Sequence, residues 1–342
     1  MSRLSGKKIL VTGGTGFLGR HLLPRLLEAG GRVTCLTRQE SDISRLPADV
    51  RTARADLATG SGIAEALSGQ DILIHMAALM FGLGWQDYLH ANATAAQSLA
   101  QAISAAGNGP RRIVLVSSLA ATGPAGVSPG VNDATPPAPV SAYGWSKLLV
   151  EQILGREAGK RLVTLRPPII YGSGDRGLLP VFKGAGRGIA VTPGMRGSFP
   201  VSAIHASDAA DAVLLCCREE AHGVYHVNDG SEYTMTQFCQ AMGRALGRNS
   251  VHMLRLPLPV MAAAAAVSSL AAFSQSRLMR PFRRGLPKRA PNWTMDKYRE
   301  ARESGWLCDA SRIADELGYR PKTPLDAGMA EAVAGYRTLG WL

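Results

Sequence analysis

Short apolar runs alternate with longer amphipathic runs through the first half of the chain. The short runs are largely apolar and do not alternate with polar residues, as expected for parallel strands covered on both faces; they occupy residues 7–13, 32–38, 71–77, 112–118 and 161–167. The longer runs, such as residues 17–30 and 95–107, have helical periodicity and end in glycine, which often follows a helix. This alternation predicts an α/β protein built on a doubly wound parallel sheet.

The character of the chain changes after Pro167. Residues 167–203 are rich in glycine and proline, which predicts loops with short elements. A helical run and a short apolar run then follow, and we expect them to return to the sheet. We therefore predict a discontinuous larger domain of residues 1–166 and 204–229, and a smaller, mostly C-terminal domain of residues 167–203 and 230–342.

The composition fits a folded protein with an uneven charge distribution. Of the 342 residues 46% are hydrophobic and 19% are charged, so a sizeable core is available and disorder is not expected. The net charge is +12, and between residues 277 and 290 there are six cations and no acid: Arg277, Arg280, Arg283, Arg284, Lys288 and Arg289. Such a run favours a solvated surface, although it also suits an anionic membrane or an acidic ligand. Without a recognised nucleic-acid-binding module, no binding to nucleic acid is expected.

Several patterns bear on location. Residues 260–273 are apolar and alanine-rich but fall short of the ~20 residues that span a membrane. With the basic run that follows, residues 260–290 suit at most a peripheral contact with a membrane surface. The chain begins with a strand pattern and shows no signal-peptide pattern, and its five cysteines have no metal-binding spacing. We therefore expect reduced thiols, a cytoplasmic protein and no metal site.

The first predicted strand leads directly into TGGTGFLG, in which Gly13, Gly16 and Gly19 are three residues apart. Glycines at this spacing allow a tight turn, a close approach to a pyrophosphate and tight packing of the next helix on the sheet. The N-terminus of that helix offers free N–H groups to the phosphates. Because the loop follows an apolar strand and precedes an amphipathic helix, it predicts a dinucleotide site.

The end of the second predicted strand bears on the choice between NAD and NADP. An acidic residue there would bind the ribose hydroxyls, whereas an arginine accommodates a 2′-phosphate. Arg38 occupies this place, and Glu40 lies two residues further on. A guanidinium binds a phosphate dianion through two hydrogen bonds. We therefore predict NADP as the cofactor, with NAD as the alternative; an arginine that simply extends into water is the structural alternative.

The fourth predicted strand ends at Ser117 and Ser118, at the carboxyl edge where such sheets bind ligands. Tyr143 and Lys147 begin the next helical run, one turn apart on the same face. Hydride transfer to a carbonyl builds negative charge on oxygen, which a proton donor must neutralise. A nearby ammonium lowers the pKa of a phenol from ~10, and a serine hydroxyl stabilises the developing charge. Each residue alone has an ordinary structural explanation, but together they predict an oxidoreductase.

These motifs together resemble the extended short-chain dehydrogenase/reductase family. Besides TGGTGFLG, VSS and YGWSK, the chain contains matches to the family's motifs in HMAA, NAT, RPPIIYG and IHASDAADAV, so the resemblance covers nearly the whole chain. It implies a Rossmann-type fold, with a dinucleotide-binding larger domain and a substrate-binding smaller domain. It also implies that Ser118, Tyr143 and Lys147 are catalytic, and that Asn92 is a structural clamp.

The resemblance extends the predicted cofactor site beyond the glycine loop and Arg38. The implied contacts include an interaction of Asp56 with the adenine amino group and backbone contacts near several strand ends. The predicted cofactor-binding set is Gly13, Thr15, Gly16, Phe17, Leu18, Gly19, Arg38, Asp56, Leu57, Ala77, Ser117, Tyr143, Lys147, Pro168 and Ile169.

The C-terminal half is most similar to the 3β-hydroxysteroid dehydrogenase and dihydroflavonol reductase branch of the family. This similarity implies a hydroxyl or ketone on a lipophilic, steroid-, flavonoid- or lipid-like small molecule as substrate. A nucleotide-sugar epimerase or dehydratase is the main alternative, and a non-enzymatic cofactor-sensing protein is a further one. The chain lacks acidic residues just after the serine strand and a late R-x-G-D motif, which disfavours the nucleotide-sugar activities. A homodimer is a family-level expectation.

Overall fold

The computed structural model of the protein describes residues 4–82, 84–194, 199–278 and 291–342. The strands are β1 (Lys8–Thr12), β2 (Arg32–Thr37), β3 (Arg51–Arg54), β4 (Ile72–His75), β5 (Arg112–Val116), β6 (Leu162–Arg166), β7 (Ile169–Tyr171), β8 (Ile189–Pro193), β9 (Pro200–Val201), β10 (Ala203–His205), β11 (Gly223–His226), β12 (Tyr233–Thr234) and β13 (His252–Leu256). The α-helices are α1 (Phe17–Glu28), α2 (Ile63–Leu67), α3 (Trp85–Tyr88), α4 (Ala95–Ala105), α5 (Ala142–Ala158), α6 (Leu179–Gly186), α7 (Ala206–Cys216), α8 (Met235–Ala245), α9 (Leu258–Leu278), α10 (Met295–Ala301), α11 (Ser311–Leu317) and α12 (Leu325–Thr338).

Within the described residues, seven parallel strands form one sheet in the order β11-β6-β5-β4-β1-β2-β3. The order changes direction between β1 and β4, so the loops after these strands diverge and leave a crevice at the carboxyl edge. α7 and β11 return the chain to the sheet, where Gly223 of β11 lies opposite Val163 of β6. The predicted doubly wound, Rossmann-type sheet is therefore confirmed.

The strand β3 has no counterpart among the predicted strands. It lies at the edge of the sheet, and Arg51, Thr52 and Arg54 are exposed. Because an edge strand of this kind has little surface to bury, its sequence RTAR carries no continuous apolar run. Pairing with β2 brings Arg54 to the same edge of the sheet as Arg38.

The sheet is covered by helices on both faces. Side chains alternate along a strand, so neighbouring residues of β1 enter different cores. Ile9 packs in a cluster with Leu22 of α1 and Val213 of α7, whereas Leu10 packs with Leu99 of α4 and Val150 of α5. Each fully buried aliphatic side chain contributes roughly 1.5–3 kcal/mol. Helix α5, which carries Tyr143 and Lys147, is thereby anchored on the sheet.

Helices α6, α8 and α12 pack around a separate core that includes Phe182, Phe238 and Tyr336. In the described part of the chain, this region contains the parallel pair β8 and β13, and β9 pairs with β12 in antiparallel fashion. The boundaries between the two predicted domains stay a prediction.

Helix α9 lies against α10. The indole N–H of Trp293 donates to the carbonyl of Met261 at 3.3 Å, and the N–H of Met295 donates to Ser269 Oγ at 3.0 Å. Among the described residues, no helix is long and apolar enough to cross a membrane. Of the basic run at residues 277–290, residues 279–290 lie outside the described residues.

Candidate active site

The glycine loop joins β1 to α1 through two positions where a larger residue does not fit. Gly13 has a φ of +74°, and a Cβ there would lie 2.8 Å from the backbone nitrogen of Ala77. A Cβ on Gly19 would overlap the carbonyl of Gly14. Among the described side chains, none caps the first turn of α1, which begins at Phe17. The loop is therefore tight, and the N–H groups in the first turn of α1 remain available to an anion.

A hydrogen-bond network fixes the segment after β4 beside this loop. Thr12 Oγ1 accepts from the N–H groups of Met76 and Ala77, each at 3.2 Å, and lies 2.7 Å from His75 Nδ1. Because the oxygen accepts two N–H groups, the hydroxyl proton is best assigned to the bond with Nδ1, which leaves His75 neutral. Burial, followed by the charge of Lys147, lowers the pKa of His75 to about 3.

Two arginines meet at the ends of β2 and β3. Arg38 is exposed, and its N–H donates to Ser41 Oγ at 3.0 Å. The guanidinium of Arg54 donates to the carbonyls of Arg38 and Gln39. Arg54 was missed in the sequence because β3 was not recognised as a strand. The predicted residues Asp56 and Leu57 follow β3 directly, and the Asp56 carboxylate accepts from the N–H of Ala58 at 2.8 Å.

A further cationic group lies on the first helix. Arg20 Nε is buried and, within the described residues, has no hydrogen-bond partner. Burial, together with the nearby charges of Arg45 and Arg176, lowers the pKa of Arg20. Arg20 thus adds a cation to the helix whose first turn offers N–H groups to phosphates.

The two candidate serines have different partners. Ser117 Oγ donates to the carboxylate of Glu151, which forms a buried ion pair with Arg166. Ser118 Oγ accepts from the N–H of Ala120 at 3.2 Å, and of the two serines it is Ser118 that lowers the pKa of Tyr143. Ser118 is therefore the serine that influences the tyrosine.

Tyr143 is the second residue of α5, and Lys147 follows one turn later. Both side chains are buried, and Lys147 Nζ donates to the carbonyl of Val116 at 2.8 Å. Burial lowers the pKa of Lys147 to about 8, against the opposing charge of Glu151. Burial raises the pKa of Tyr143, while Lys297 and the hydrogen bond from Ser118 lower it. Lys297 lies in a segment for which no functional role was predicted from the sequence.

Helix α10 caps the start of α5. The Asp296 carboxylate accepts from the N–H groups of Ala142 at 2.6 Å and Tyr143 at 3.2 Å. Glu300 accepts from the hydroxyl of Ser141 at 2.7 Å, and this hydroxyl in turn caps α5. Carboxylates at a helix N-terminus satisfy N–H groups that lack partners within the helix. Helix α10 therefore holds the helix that carries Tyr143.

Lys297 lies between the two carboxylates of α10. Its Nζ is 2.8 Å from Glu300 Oε2 and 4.9 Å from the centre of the Tyr143 ring. The same ammonium is 5.7 Å from the ring of Phe81. Although burial opposes it, the charge of Glu300 raises the pKa of Lys297, so the side chain stays cationic. No local pattern in the sequence marks these residues, since their contacts join segments about 150 residues apart.

The loop after β4 surrounds Tyr143 with apolar groups. The ring of Tyr88 is 5.9 Å from that of Tyr143, and its hydroxyl donates to the carbonyl of Met80 at 3.3 Å. Asn92 fixes this loop: its side chain bonds both the N–H and the carbonyl of Leu79, and it donates to Ser146 of α5.

The predicted residues converge on one edge of the sheet. Pro168 and Ile169 follow β6, where the carbonyl of Pro167 accepts from the N–H of Leu119 at 2.8 Å, next to Ser118. Thr15, Gly16, Phe17 and Leu18 lie in the glycine loop and at the start of α1, after β1. Ala77 and Ser117 follow β4 and β5. Their roles in binding a cofactor stay predictions.

Comparison with known proteins agrees with this arrangement. Residues 9–228 match the NAD dependent epimerase/dehydratase family. The chain is 29% identical to the ceramide reductase of Caulobacter vibrioides, over 98% of this chain and 96% of that protein. It is also 29% identical to sterol demethylase protein B of Methylococcus capsulatus, over 97% and 99% of the two chains. The fold matches UDP-N-acetylglucosamine 4-epimerase from Bacillus cereus with a TM-score of 0.70 at 20% identity, covering 97% of each chain.

The fold and the site define an NAD(P)-dependent oxidoreductase, and the predicted resemblance to the extended short-chain dehydrogenase/reductases is confirmed. The chain belongs to the NAD dependent epimerase/dehydratase family.

Proposed function

We propose that the protein is an NADP-dependent oxidoreductase that transfers a hydride between the nicotinamide and a hydroxyl or ketone of a lipophilic small molecule. The positions of Ser118 after β5 and of Tyr143 and Lys147 at the start of α5 carry the proposal, together with the influence of Ser118 on the pKa of Tyr143. These positions support a proton donor and a hydrogen-bond donor at the carboxyl edge of the sheet.

The proposed roles follow from the positions of the three side chains. In the reductive direction Tyr143 donates its proton to the carbonyl oxygen that is becoming an alkoxide, and in oxidation it accepts that proton back. Ser118 donates a hydrogen bond to the same oxygen. Lys147, held by the Val116 carbonyl, supplies positive charge near the phenolate. Solvent protons restore the tyrosine after each reductive turnover.

The cofactor assignment rests on the glycine loop and on the arginines. When bound, the dinucleotide supplies the hydride. Gly13 and Gly19 allow the close approach of its phosphates, and the first turn of α1 offers N–H groups to them. Arg38 and Arg54 suit a 2′-phosphate, which NAD lacks. NADP is therefore the proposed cofactor.

The substrate class rests on the apolar surroundings of Tyr143 and on relatives. Phe81 lies against Lys297 beside the tyrosine, and Met80 and Trp85 expose large apolar surfaces in the same loop region. A pocket rim of this kind favours apolar ligands with few polar groups. The names of two relatives, ceramide reductase and sterol demethylase protein B, refer to a lipid and to sterols. We therefore propose a lipid-like ketone or alcohol as the substrate of this chain.

The test is a screen of steroid, long-chain and sphingoid ketones with purified protein and NADPH, followed by nicotinamide absorbance. Tyr143→Phe removes the proton donor and is expected to lower turnover at least a hundredfold. Tyr88→Phe removes a neighbouring hydroxyl that interacts with the backbone of Met80 and Gly82, so its turnover should stay close to that of the wild type.

Full turnover by Tyr143→Phe would contradict the mechanism. Calorimetry with UDP-glucose on the same protein tests the nucleotide-sugar alternative, which tight binding together with an inactive ketone screen would favour.

A further inference from the structure

Helix α9 presents an apolar face to solvent. Val260, Val267 and Leu270 are 53%, 69% and 67% exposed, and several alanines between them are exposed as well. On the inner side, Met261 and Ala265 are buried. Monomeric soluble proteins rarely expose such a patch unless it binds something. We call Val260, Val267 and Leu270 the α9 face.

The α9 face contains no charge that would keep it in water. Residues 256–276 include no Asp, Glu, Lys or Arg. Solvent-exposed helices normally carry charged residues on the outer face, and a helix that is apolar on its exposed face needs a partner. The hydrogen bonds to Trp293 and Met295 fix α9 with this face outward.

The strand that leads into α9 continues the pattern. In the parallel pair β8–β13, Leu254 lies opposite Val191, and the two side chains are 40% and 48% exposed. Ile189, two residues before Val191 and therefore on the same side of the strand, is 45% exposed. Apolar side chains are thus exposed along β8 and β13 as well as on α9.

The charged residues that flank α9 in the sequence are positive. Arg255, in the strand that leads into α9, is exposed. In the sequence, the charged residues that next follow the apolar stretch of α9, up to residue 290, are all basic. An apolar face with cationic surroundings complements a surface that is apolar below and anionic at its headgroups.

We infer that the α9 face docks onto the surface of a bilayer that contains anionic lipids. The helix lies in the headgroup region without crossing the membrane, with the valine and leucine side chains of the α9 face in the acyl boundary. The inner side of α9 contacts α10, whose Lys297 lies over Tyr143, so docking places the catalytic tyrosine close to the membrane surface. The link between docking and the reaction rests on the proposed function, in which the substrate is a lipid-like ketone that the enzyme would take from the bilayer.

The test is co-sedimentation of the full-length protein with vesicles of phosphatidylcholine alone or with one-third phosphatidylglycerol. We expect binding to the anionic vesicles that weakens with added salt. Val267→Glu/Leu270→Glu places two carboxylates on the α9 face and should weaken binding at least tenfold. Val127→Glu is the matched control, because Val127 is 80% exposed and lies outside α9. Circular dichroism and melting curves establish that the three proteins are folded.

Two results would overturn the docking surface. One is a wild-type protein that does not sediment with anionic vesicles, or a double variant that binds them as well as the wild type does. The other is a vesicle-free dimer that Val267→Glu/Leu270→Glu dissociates, because the α9 face would then be a contact between two copies. Vesicle binding needs no turnover, so binding without ketone reduction would refute the proposed function alone. Ketone reduction without binding would refute only the docking surface.

Discussion

The ammonium of Lys297 lies 4.9 Å from the centre of the Tyr143 ring, although the two residues are far apart in the sequence. Lys147, one turn from the tyrosine in α5, directs its Nζ to the Val116 carbonyl instead. Burial raises the pKa of Tyr143 most, and the charge of Lys297 is the strongest influence that lowers it.

Replacing Lys297 with methionine should shift the pH dependence of alcohol oxidation to higher pH. Oxidation requires the deprotonated tyrosine, and removal of a cation that lowers the pKa of Tyr143 raises that pKa. At neutral pH the variant should therefore oxidise alcohols more slowly, with KM less affected than kcat. Lys297→Arg keeps the positive charge, so its pH profile should lie close to that of the wild type. A pH profile of kcat unchanged in Lys297→Met would show that this lysine only positions α10.

Removal of the Asp296 carboxylate should destabilise the start of α5. Asp296→Ala leaves the N–H groups of Ala142 and Tyr143 without acceptors, which costs about 1–2 kcal/mol in free energy of unfolding. Turnover should fall as well, since these N–H groups hold the backbone of Tyr143. The control is Asp309→Ala, which removes a carboxylate bonded to Ser311 at the start of α11. Asp309→Ala should lose stability but retain kcat. An equal loss of kcat in Asp296→Ala and Asp309→Ala would contradict a role of Asp296 in positioning Tyr143.

The neighbouring serines should separate catalysis from stability. Ser118→Ala removes the hydroxyl that lowers the pKa of Tyr143, and kcat is expected to drop about a hundredfold with little change in denaturant midpoint. Ser117→Ala deprives the buried Glu151 of a hydrogen-bond donor, which should cost about 1–3 kcal/mol of stability with a far smaller effect on kcat. Steady-state kinetics and urea unfolding of both variants measure kcat and stability. A larger loss of kcat in Ser117→Ala than in Ser118→Ala would show that Ser117 is the catalytic serine.

The preference for NADPH should depend on both strand-end arginines. Arg38→Ala and Arg54→Ala should each raise the Kd for NADPH by about ten- to a hundredfold, as expected for a lost charged hydrogen bond. The Kd for NADH should change little. Arg51→Ala, an exposed arginine at the other end of β3, serves as control. Fluorescence titration of the reduced cofactors measures both constants, and an unchanged NADPH preference in both variants would remove the arginines from the site.

Acid should destabilise the protein through buried histidines. Burial, followed by the charge of Arg166, lowers the pKa of His226 to about 3, from an ordinary value of 6.5. Below pH 6.5 the unfolded state therefore binds a proton that the folded state does not, and stability falls with pH until about pH 3. At pH 5.5 this single histidine accounts for about 1.4 kcal/mol.

In His226→Gln this part of the pH dependence should be missing, although the variant is less stable at every pH. Other titrating groups are common to both proteins and cancel in the comparison. Chemical unfolding at pH 7 and pH 5.5 measures the loss of unfolding free energy in each protein. Equal losses in the wild type and His226→Gln would show that protonation of another group causes the acid sensitivity.

The alternation of apolar and amphipathic runs was sufficient to predict the sheet, because buried parallel strands need continuous apolar sequence. The same reasoning could not find β3, whose exposed arginines resemble a loop. The glycine loop was predictable because its chemistry is local: Gly13 and Gly19 are required by turns within a few residues of them.

The surroundings of Tyr143 were less accessible from the sequence. Ser118 and Tyr143 could be placed near each other because both begin at the carboxyl edge of the sheet. Asp296, Lys297 and Glu300 reach α5 only through tertiary packing, which no local spacing records. The role of Arg54 depends on a strand pairing in the same way.

The capping of α5 by α10 has a consequence for the order in which the enzyme is made. Six of the seven strands of the described sheet, the glycine loop and α5 lie before residue 170, whereas the seventh strand, β11, begins at Gly223 and the carboxylates that cap α5 are at Asp296 and Glu300. During synthesis α5 is therefore made well before its N-terminal partners. The backbone N–H of Tyr143 obtains its acceptor only after α10 has followed.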